Sequence, residues 1–248
     1  MTATVPLMDD IEIGDDVDDG GSASIKDDFA YHNNVAGAPK KIRMGFLRKV
    51  YGLLAVQLCL TTVIASVCLF TPAVKVAVQE NSWLVMVAFI LSIGILLALH
   101  INRHKTPLNL ILLAAFTVVE AYTVGVIVSF FDKLVVIEAF FITATVVVGL
   151  TIFTFNTSRD FTKWGSALFI GLWVLIIGGI LNLFMGGTGF DLLLTIGGTI
   201  LFSAFIVFDT QMIMTKVSPE EYISATINLY LDIINLFIEI LKLVDRGN

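Results

Sequence analysis

The amino-acid sequence predicts an all-α integral membrane protein, a bundle of seven transmembrane helices with the last helix at the centre. Three observations carry that expectation. Of the 248 residues 57% are hydrophobic, with a mean hydropathy of +0.91, where an ordinary soluble domain holds about 45–50% apolar residues. The apolar residues collect into runs of the roughly 20 that a helix needs to cross a bilayer core, and short polar breaks separate the runs. The charges are segregated as well. Nine of the 21 acidic residues (Asp9, Asp10, Glu12, Asp15, Asp16, Asp18, Asp19, Asp27 and Asp28) fall in residues 1–28 with only Lys26 to balance them, so the net charge of −6 belongs to a tail.

That tail, residues 1–40, reads as a disordered acidic cytosolic segment, because its Gly, Ser and Asp content and few large apolar residues cannot offset the entropy of ordering. Residues 41–248 read as the transmembrane domain. Seven spans follow in order: Val50–Phe70, Trp83–Ile101, Pro107–Phe131, Leu134–Phe155, Trp164–Phe184, Leu192–Met214 and Tyr222–Leu243. The first begins too late for a cleaved secretory signal and is read as an uncleaved anchor. It carries both cysteines, Cys59 and Cys68, nine residues apart and on roughly opposite sides of a helix, so they read as two buried free thiols. Between the third and fourth spans Asp132-Lys133 must turn the chain almost without a loop. Thr106-Pro107 reads as N-cap plus first-turn proline for the third span, and Ser218-Pro219-Glu220-Glu221 as a capping box for the last. All five prolines lie outside helix interiors, so no span need carry a proline kink.

Orientation follows from Lys and Arg in the flanks. Lys40, Lys41, Arg43, Arg48, Lys49, Arg103, Lys105, Arg159, Lys163 and Lys216 fall on one side, against Lys75, Lys133 and Arg246 on the other. The N-terminus is therefore expected in the cytosol.

An ionisable residue near the middle of a span costs about 2.5–3.5 kcal/mol on insertion scales and marks a functional hypothesis. Four stand out: Glu120, Glu138, Asp209 and Asp232. At 100° per residue Asn228, Asp232, Asn235 and Glu239 fall within about 60° of one another on the last span. Such a stripe cannot face lipid, so that span is expected at the centre of the bundle. Asp209 and Asp232 enter from the same side at depths that helix tilt can bring together. Two carboxylates in a poorly solvated bundle hold one proton between them, because like charge and desolvation both oppose a second ionisation. Such a pair can bind a hard cation such as calcium, or change charge with pH. Arg103, at the cytosolic end of the second span, is a candidate latch on one aspartate.

Ile42-Arg43-Met44-Gly45-Phe46-Leu47-Arg48-Lys49-Val50-Tyr51, Leu108-Asn109-Leu110 after Arg103-His104-Lys105, Phe208-Asp209-Thr210-Gln211, Ser218-Pro219-Glu220-Glu221-Tyr222 and, above all, Leu229-Tyr230-Leu231-Asp232-Ile233-Ile234-Asn235-Leu236-Phe237 resemble the transmembrane BAX inhibitor motif family, lifeguard branch. The likeness runs from about Ile42 to the C-terminus. It implies a seven-helix fold with the last helix central, a calcium leak across Golgi or endoplasmic reticulum membranes, and protection from apoptosis by lowering stored calcium. By motif, the family's pH-sensing aspartates correspond to Asp209 and Asp232. The arginine that latches the pair in a bacterial relative maps to Asn102 or Arg103. No cofactor is implied, calcium being the transported ion. The implied partners are the bilayer, calcium, and other membrane apoptosis regulators or calcium-release channels.

The same residues bear on other functions. Two aspartates on consecutive late helices would also suit an intramembrane protease, but such enzymes carry Gly-X-Gly-Asp where this chain has bulky Leu229-Tyr230-Leu231-Asp232. A proton-coupled carrier is compatible with buried carboxylates, although matched Gly/Pro interruptions are lacking. A non-conducting regulator or scaffold needs only structural roles for every buried charge. Scattered His32, His100 and His104 offer no metal-ligand spacing, and an acidic tail argues against nucleic acid. The orientation has a direct test. Asn156-Thr157-Ser158 is a formal glycosylation sequon placed on the cytosolic side by the charge count, so Asn156 is expected to stay unmodified in cells. A glycan at Asn156, detected by mass spectrometry, would reverse the topology.

Overall fold

The computed structural model describes residues 40–248; the predicted acidic tail, apart from its last residue, lies outside the described residues. Eight α-helices follow one another: α1 (Lys40–Phe70), α2 (Pro72–Glu80), α3 (Leu84–Asn102), α4 (Leu108–Ser129), α5 (Lys133–Asn156), α6 (Gly165–Met185), α7 (Thr188–Thr215) and α8 (Tyr222–Gly247), with no strand among the described residues. Six of them, α1 and α3 through α7, are long and apolar enough to cross a membrane. Their outward faces are oily: Met86, Phe89, Ile90, Leu134, Leu183 and Phe184 are all more than 60% exposed. A surface of that kind belongs in lipid.

Two helices, α2 and α8, bear on the predicted count of seven spans. The loop after the first span contains α2, nine residues that start with Pro72 after an extended Thr71. At 1.5 Å rise it reaches only about 13 Å, too short to span. The seventh predicted span, α8, is not among the six; Asn228, Asp232, Asn235, Glu239 and Lys242 interrupt its apolar run. Its position nevertheless matches the expectation. Thirteen of its 26 residues are buried, against three of 19 in α3, and it packs on α1, α4, α5 and α7. A helix enclosed by others need not be apolar all round.

Local chemistry sets the remaining boundaries. Phe130-Phe131-Asp132 joins α4 to α5, with Asp132 extended at the N-cap, so the predicted turn is almost without a loop. Gly186 closes α6 at φ +60, a left-handed conformation that glycine adopts without strain, and its N–H bonds Asn182 O at 2.9 Å. Helix α7 then starts at Thr188, a turn before the predicted Leu192, which puts Asp191 in its first turn where the helix dipole favours an acid. Pro107 is itself the N-cap residue of α4 rather than its first helical residue, and the Thr106-Pro107 bond is cis. The predicted capping box is half formed. Ser218 Oγ accepts from Glu220 N at 3.4 Å, on a short 3-10 turn (Pro219–Glu221) that precedes α8. Glu221, the other half, is paired with Arg103 instead.

Contacts at the helix ends show an alternating, antiparallel order. Arg103, Tyr222 and Glu221 meet at the basic end of the bundle, where Asn109 Nδ2 donates to Arg103 O at 2.9 Å and to Tyr222 Oη at 3.0 Å. The Lys49 ammonium stands 3.3 Å over the Tyr222 ring, a cation–π contact that ties α1 to the start of α8. In the α5–α6 loop Asp160 accepts from both the backbone N–H and the hydroxyl of Thr162, which holds its carboxyl below the usual range. At the far end Gln79 of α2 donates to Ser129 O at 2.6 Å. Cys68 is buried as expected, its Sγ lying where a Cβ on Gly125 would stand only 2.7 Å away, but Cys59 is exposed on the opposite, outward side of α1.

Tyr230 is the pivot of the core. Its ring is fully buried and meets Phe116 edge-on at 6.2 Å, while its hydroxyl lies 2.9 Å from Thr61 Oγ1. Thr61 already donates to Gln57 O, so Tyr230 is the donor. Tyr230→Ala is expected to lower stability by about 3–5 kcal/mol through the cavity, and Tyr230→Phe by about 1 kcal/mol through the lost bond, as measured by unfolding in detergent. Equal effects of the two changes would contradict this placement of the ring.

Candidate functional site

Residues 208–211 of α7 point to four different parts of the bundle. The Phe208 ring packs on Gly165 at the start of α6, where a Cβ would meet Phe208 Cζ at 3.2 Å. Gln211 pins the α5–α6 loop: its Oε1 accepts from Phe161 N at 2.5 Å and its Nε2 donates to Arg159 O at 2.7 Å. The Thr210 hydroxyl is buried and faces the Tyr51 hydroxyl of α1. Asp209, between them in sequence, turns toward α8.

There it meets Asp232. The two carboxyls lie within hydrogen-bonding reach of each other, so the structure brings together the two residues that the sequence singled out. Asp232 is 8% exposed, and its Oδ2 has no N–H or O–H donor. The group that faces it is a second carboxyl, so a bond between the two exists only when one carries a proton. Without a proton or a cation, two desolvated negative charges would face each other at great cost.

The other predicted residues divide. Asn235 and Glu239 continue from Asp232 along α8, both partly buried, with Asn235 Nδ2 bonded back to Leu231 O at 2.9 Å. Asn228 is exposed, a departure from the expected inward stripe. It lies less than two turns from the start of α8, close enough to the bundle end for its amide to escape burial. Glu120 faces the interior and accepts from Ser92 Oγ at 2.5 Å. Glu138 does not: it is exposed in the second turn of α5, near the bundle end rather than at mid-span. Arg103 latches neither aspartate. Its Nη2 lies 3.8 Å from Glu221 Oε1 and its Nε donates to His104 Nε2 at 3.0 Å, because the α3–α4 loop stands at the rim while Asp232 lies three turns into α8. An ion pair so exposed contributes little.

Sequence reasoning missed the polar side chains that line α1 and α4 around Tyr230. Gln57 Nε2 donates to Thr117 Oγ1 at 2.8 Å, and Gln57 Oε1 is buried without a partner. Gln57 is the one amide in the apolar run of α1, which was the available signal. Ser92, Asn182 and Asp191 were missed as well. Among the described residues no group of three or more acidic, His or Cys side chains is arranged to hold a metal ion, so the pair offers two carboxyls and not a full coordination shell.

The chain was compared with known proteins. Residues 43–248 match the family described as inhibitor of apoptosis-promoting Bax1. The chain is 46% identical over 226 residues to Protein lifeguard 4 of Mus musculus and 44% identical over 226 residues to the Golgi anti-apoptotic protein of vaccinia virus, covering 91% of this chain and 95% of each relative. It is 39% identical over 219 residues to Bax inhibitor 1 of Schizosaccharomyces pombe, covering 88% of this chain and 82% of the relative.

Gln211 is a positioning residue in this arrangement, holding the α5–α6 loop against α7. Gln211→Ala is expected to speed tryptic cleavage at Arg159 and Lys163 severalfold in detergent micelles while the helices stay intact. An unchanged cleavage rate would show that the loop is held by other contacts.

Proposed function

The chain belongs to the family of inhibitors of apoptosis-promoting Bax1, and on that premise we propose that it is a pH-sensitive calcium leak channel of Golgi and endoplasmic reticulum membranes, lowering stored calcium and so inhibiting apoptosis. The observation that carries the reading is the Asp209–Asp232 pair, Asp232 buried and Asp209 partly buried, inside a bundle with a lipid-facing exterior. In this reading α8 is the seventh transmembrane helix, the basic end faces the cytosol, and the pair shares a proton. Gain or loss of that proton changes the charge of the constriction by one unit, which alters its attraction for calcium. With Arg103 engaged by Glu221, the switch works through the carboxyls alone, without a latching guanidinium. Calcium is substrate here and not a resident cofactor.

The names of the relatives support the compartment and the anti-apoptotic role: one is called a Golgi protein and two are called anti-apoptotic or Bax-inhibiting. Leu229 and Leu231 stand beside Asp232 with bulk where a protease would carry glycine, and Leu229 is fully enclosed, which argues against the protease reading. A non-conducting regulator of apoptosis is the second reading, favoured by the incomplete coordination shell.

Reconstitution in liposomes decides between them. Asp232→Asn is expected to reduce calcium flux severalfold and flatten its pH response, Asp209→Asn to flatten the response, and Glu80→Gln, exposed at the end of α2, to do neither. If both aspartate variants, correctly inserted, leaked calcium with the parent's pH profile, the shared-proton gate would be wrong. A parent that passes no calcium would favour the non-conducting regulator.

A further inference from the structure

The polar stripe of α8 does not stop at Glu239. At 100° per residue Lys242 and Arg246 fall on the same face as Asn235 and Glu239, so the stripe ends at the far end of the bundle in two basic side chains. There it borders a cavity of about 440 Å³ between α6, α7 and α8, whose polar lining comes from Asn182, Asp191, Thr195, Asn235, Glu239 and Lys242.

Each carboxylate in that cavity is matched by a base from the same stripe. Arg246 is ion-paired with Asp191, and Lys242 Nζ stands 3.1 Å from Glu239 Oε1. The two members of the second pair sit differently. The Glu239 side chain is 17% exposed and that of Lys242 is 41% exposed, so the acid lies inside and the ammonium at the mouth. Glu239 is seated against the backbone of α7, because a Cβ on Gly198 would lie 2.9 Å from its Cγ; only glycine leaves that room. Across the cavity Asn182 spends its amide N–H on Asp191 Oδ1 at 2.8 Å, leaving its own buried Oδ1 without a donor. The cavity thus holds an acceptor oxygen and a seated carboxylate, and the cation already on that carboxylate is the protein's own. An ammonium is a compact point charge on a flexible stem. Its place on Glu239 is the place a cation arriving from the far end must take.

We propose that Lys242 is a tethered cation that competes with divalent cations for Glu239 and so restrains their passage through the far-end mouth. The consequence for flux rests on the leak reading above; the competition for Glu239 does not. Asp191 is left to Arg246 and takes no part.

Calcium binding to the full chain in detergent, followed by titration calorimetry, tests the competition directly. Lys242→Met and Lys242→Gln should each bind calcium about two- to fivefold more tightly than the parent, the ratio that releasing a half-exposed ion pair gives. Lys242→Arg should bind as the parent does, and adding Glu239→Gln to Lys242→Met should remove the gain. Two neutral variants guard against one of them misfolding, which gel filtration would report. Parent-like binding in both folded neutral variants, no measurable calcium on either, or a gain that survives the loss of Glu239 would overturn the proposal. In liposomes the neutral variants should raise flux at limiting far-side calcium. A parent that conducts and depends on Asp232, with neutral variants that conduct identically, would sink the restraint while leaving the leak intact. A parent that conducts nothing would sink the leak, and the binding data would still judge Lys242.

Discussion

A helix that carries Asp232, Asn235, Glu239 and Lys242 cannot lie against lipid, and the rest of the fold answers that constraint. Each such charge costs about 2.5–3.5 kcal/mol at the centre of a span on insertion scales, and several on one helix exceed what its apolar residues recover. The bundle therefore encloses one polar helix among oily ones. Helices α1, α4, α5 and α7 touch α8 directly, while α3 gives most of its surface to the exterior.

Enclosing α8 creates a second requirement, because polar groups brought inside must find partners. Tyr230 meets its requirement through Thr61, and Asn235 through the backbone one turn back. Glu239 lies against Gly198 with Lys242 above it. Asp232 alone is given another acid. That choice is what separates a structural polar core from a site that responds to protons and cations. The buried, unpartnered oxygens of Gln57 and Asn182 lie in the same interior, so polar atoms without fixed partners occur on both sides of the pair along α8.

Much of this was legible in the sequence, for identifiable reasons. The six apolar spans are long, and the bilayer sets their length. The central position of α8 followed from the 100° spacing of its polar residues, and the pairing of Asp209 with Asp232 from their shared side and from depths that helix tilt can bring together. The failures have equally definite causes. Helix α2 is nine residues long, below the length at which periodicity speaks. Glu138 was placed in a span by its neighbours' hydropathy, although it lies within two turns of a helix end and faces outward. Arg103 shares a side with the aspartates but not a depth, and Glu221, in the break immediately before α8, was nearer. Lys242 lies on the stripe just beyond Glu239, where the predicted stripe stops, and Asp191 sits one residue before the predicted start of its span at Leu192.

The central claim is that Asp209 and Asp232 hold one proton between them inside the membrane. Infrared difference spectroscopy of the protein in liposomes, titrated across the physiological pH range, observes that proton directly as the C=O stretch of an un-ionised carboxyl. The account predicts one such band in the parent at neutral pH, altered in each single Asp→Asn variant and absent from the Asp209→Asn/Asp232→Asn double variant. No carboxylic-acid band in the parent at neutral pH, or a band that persists unchanged in the double variant, would contradict it.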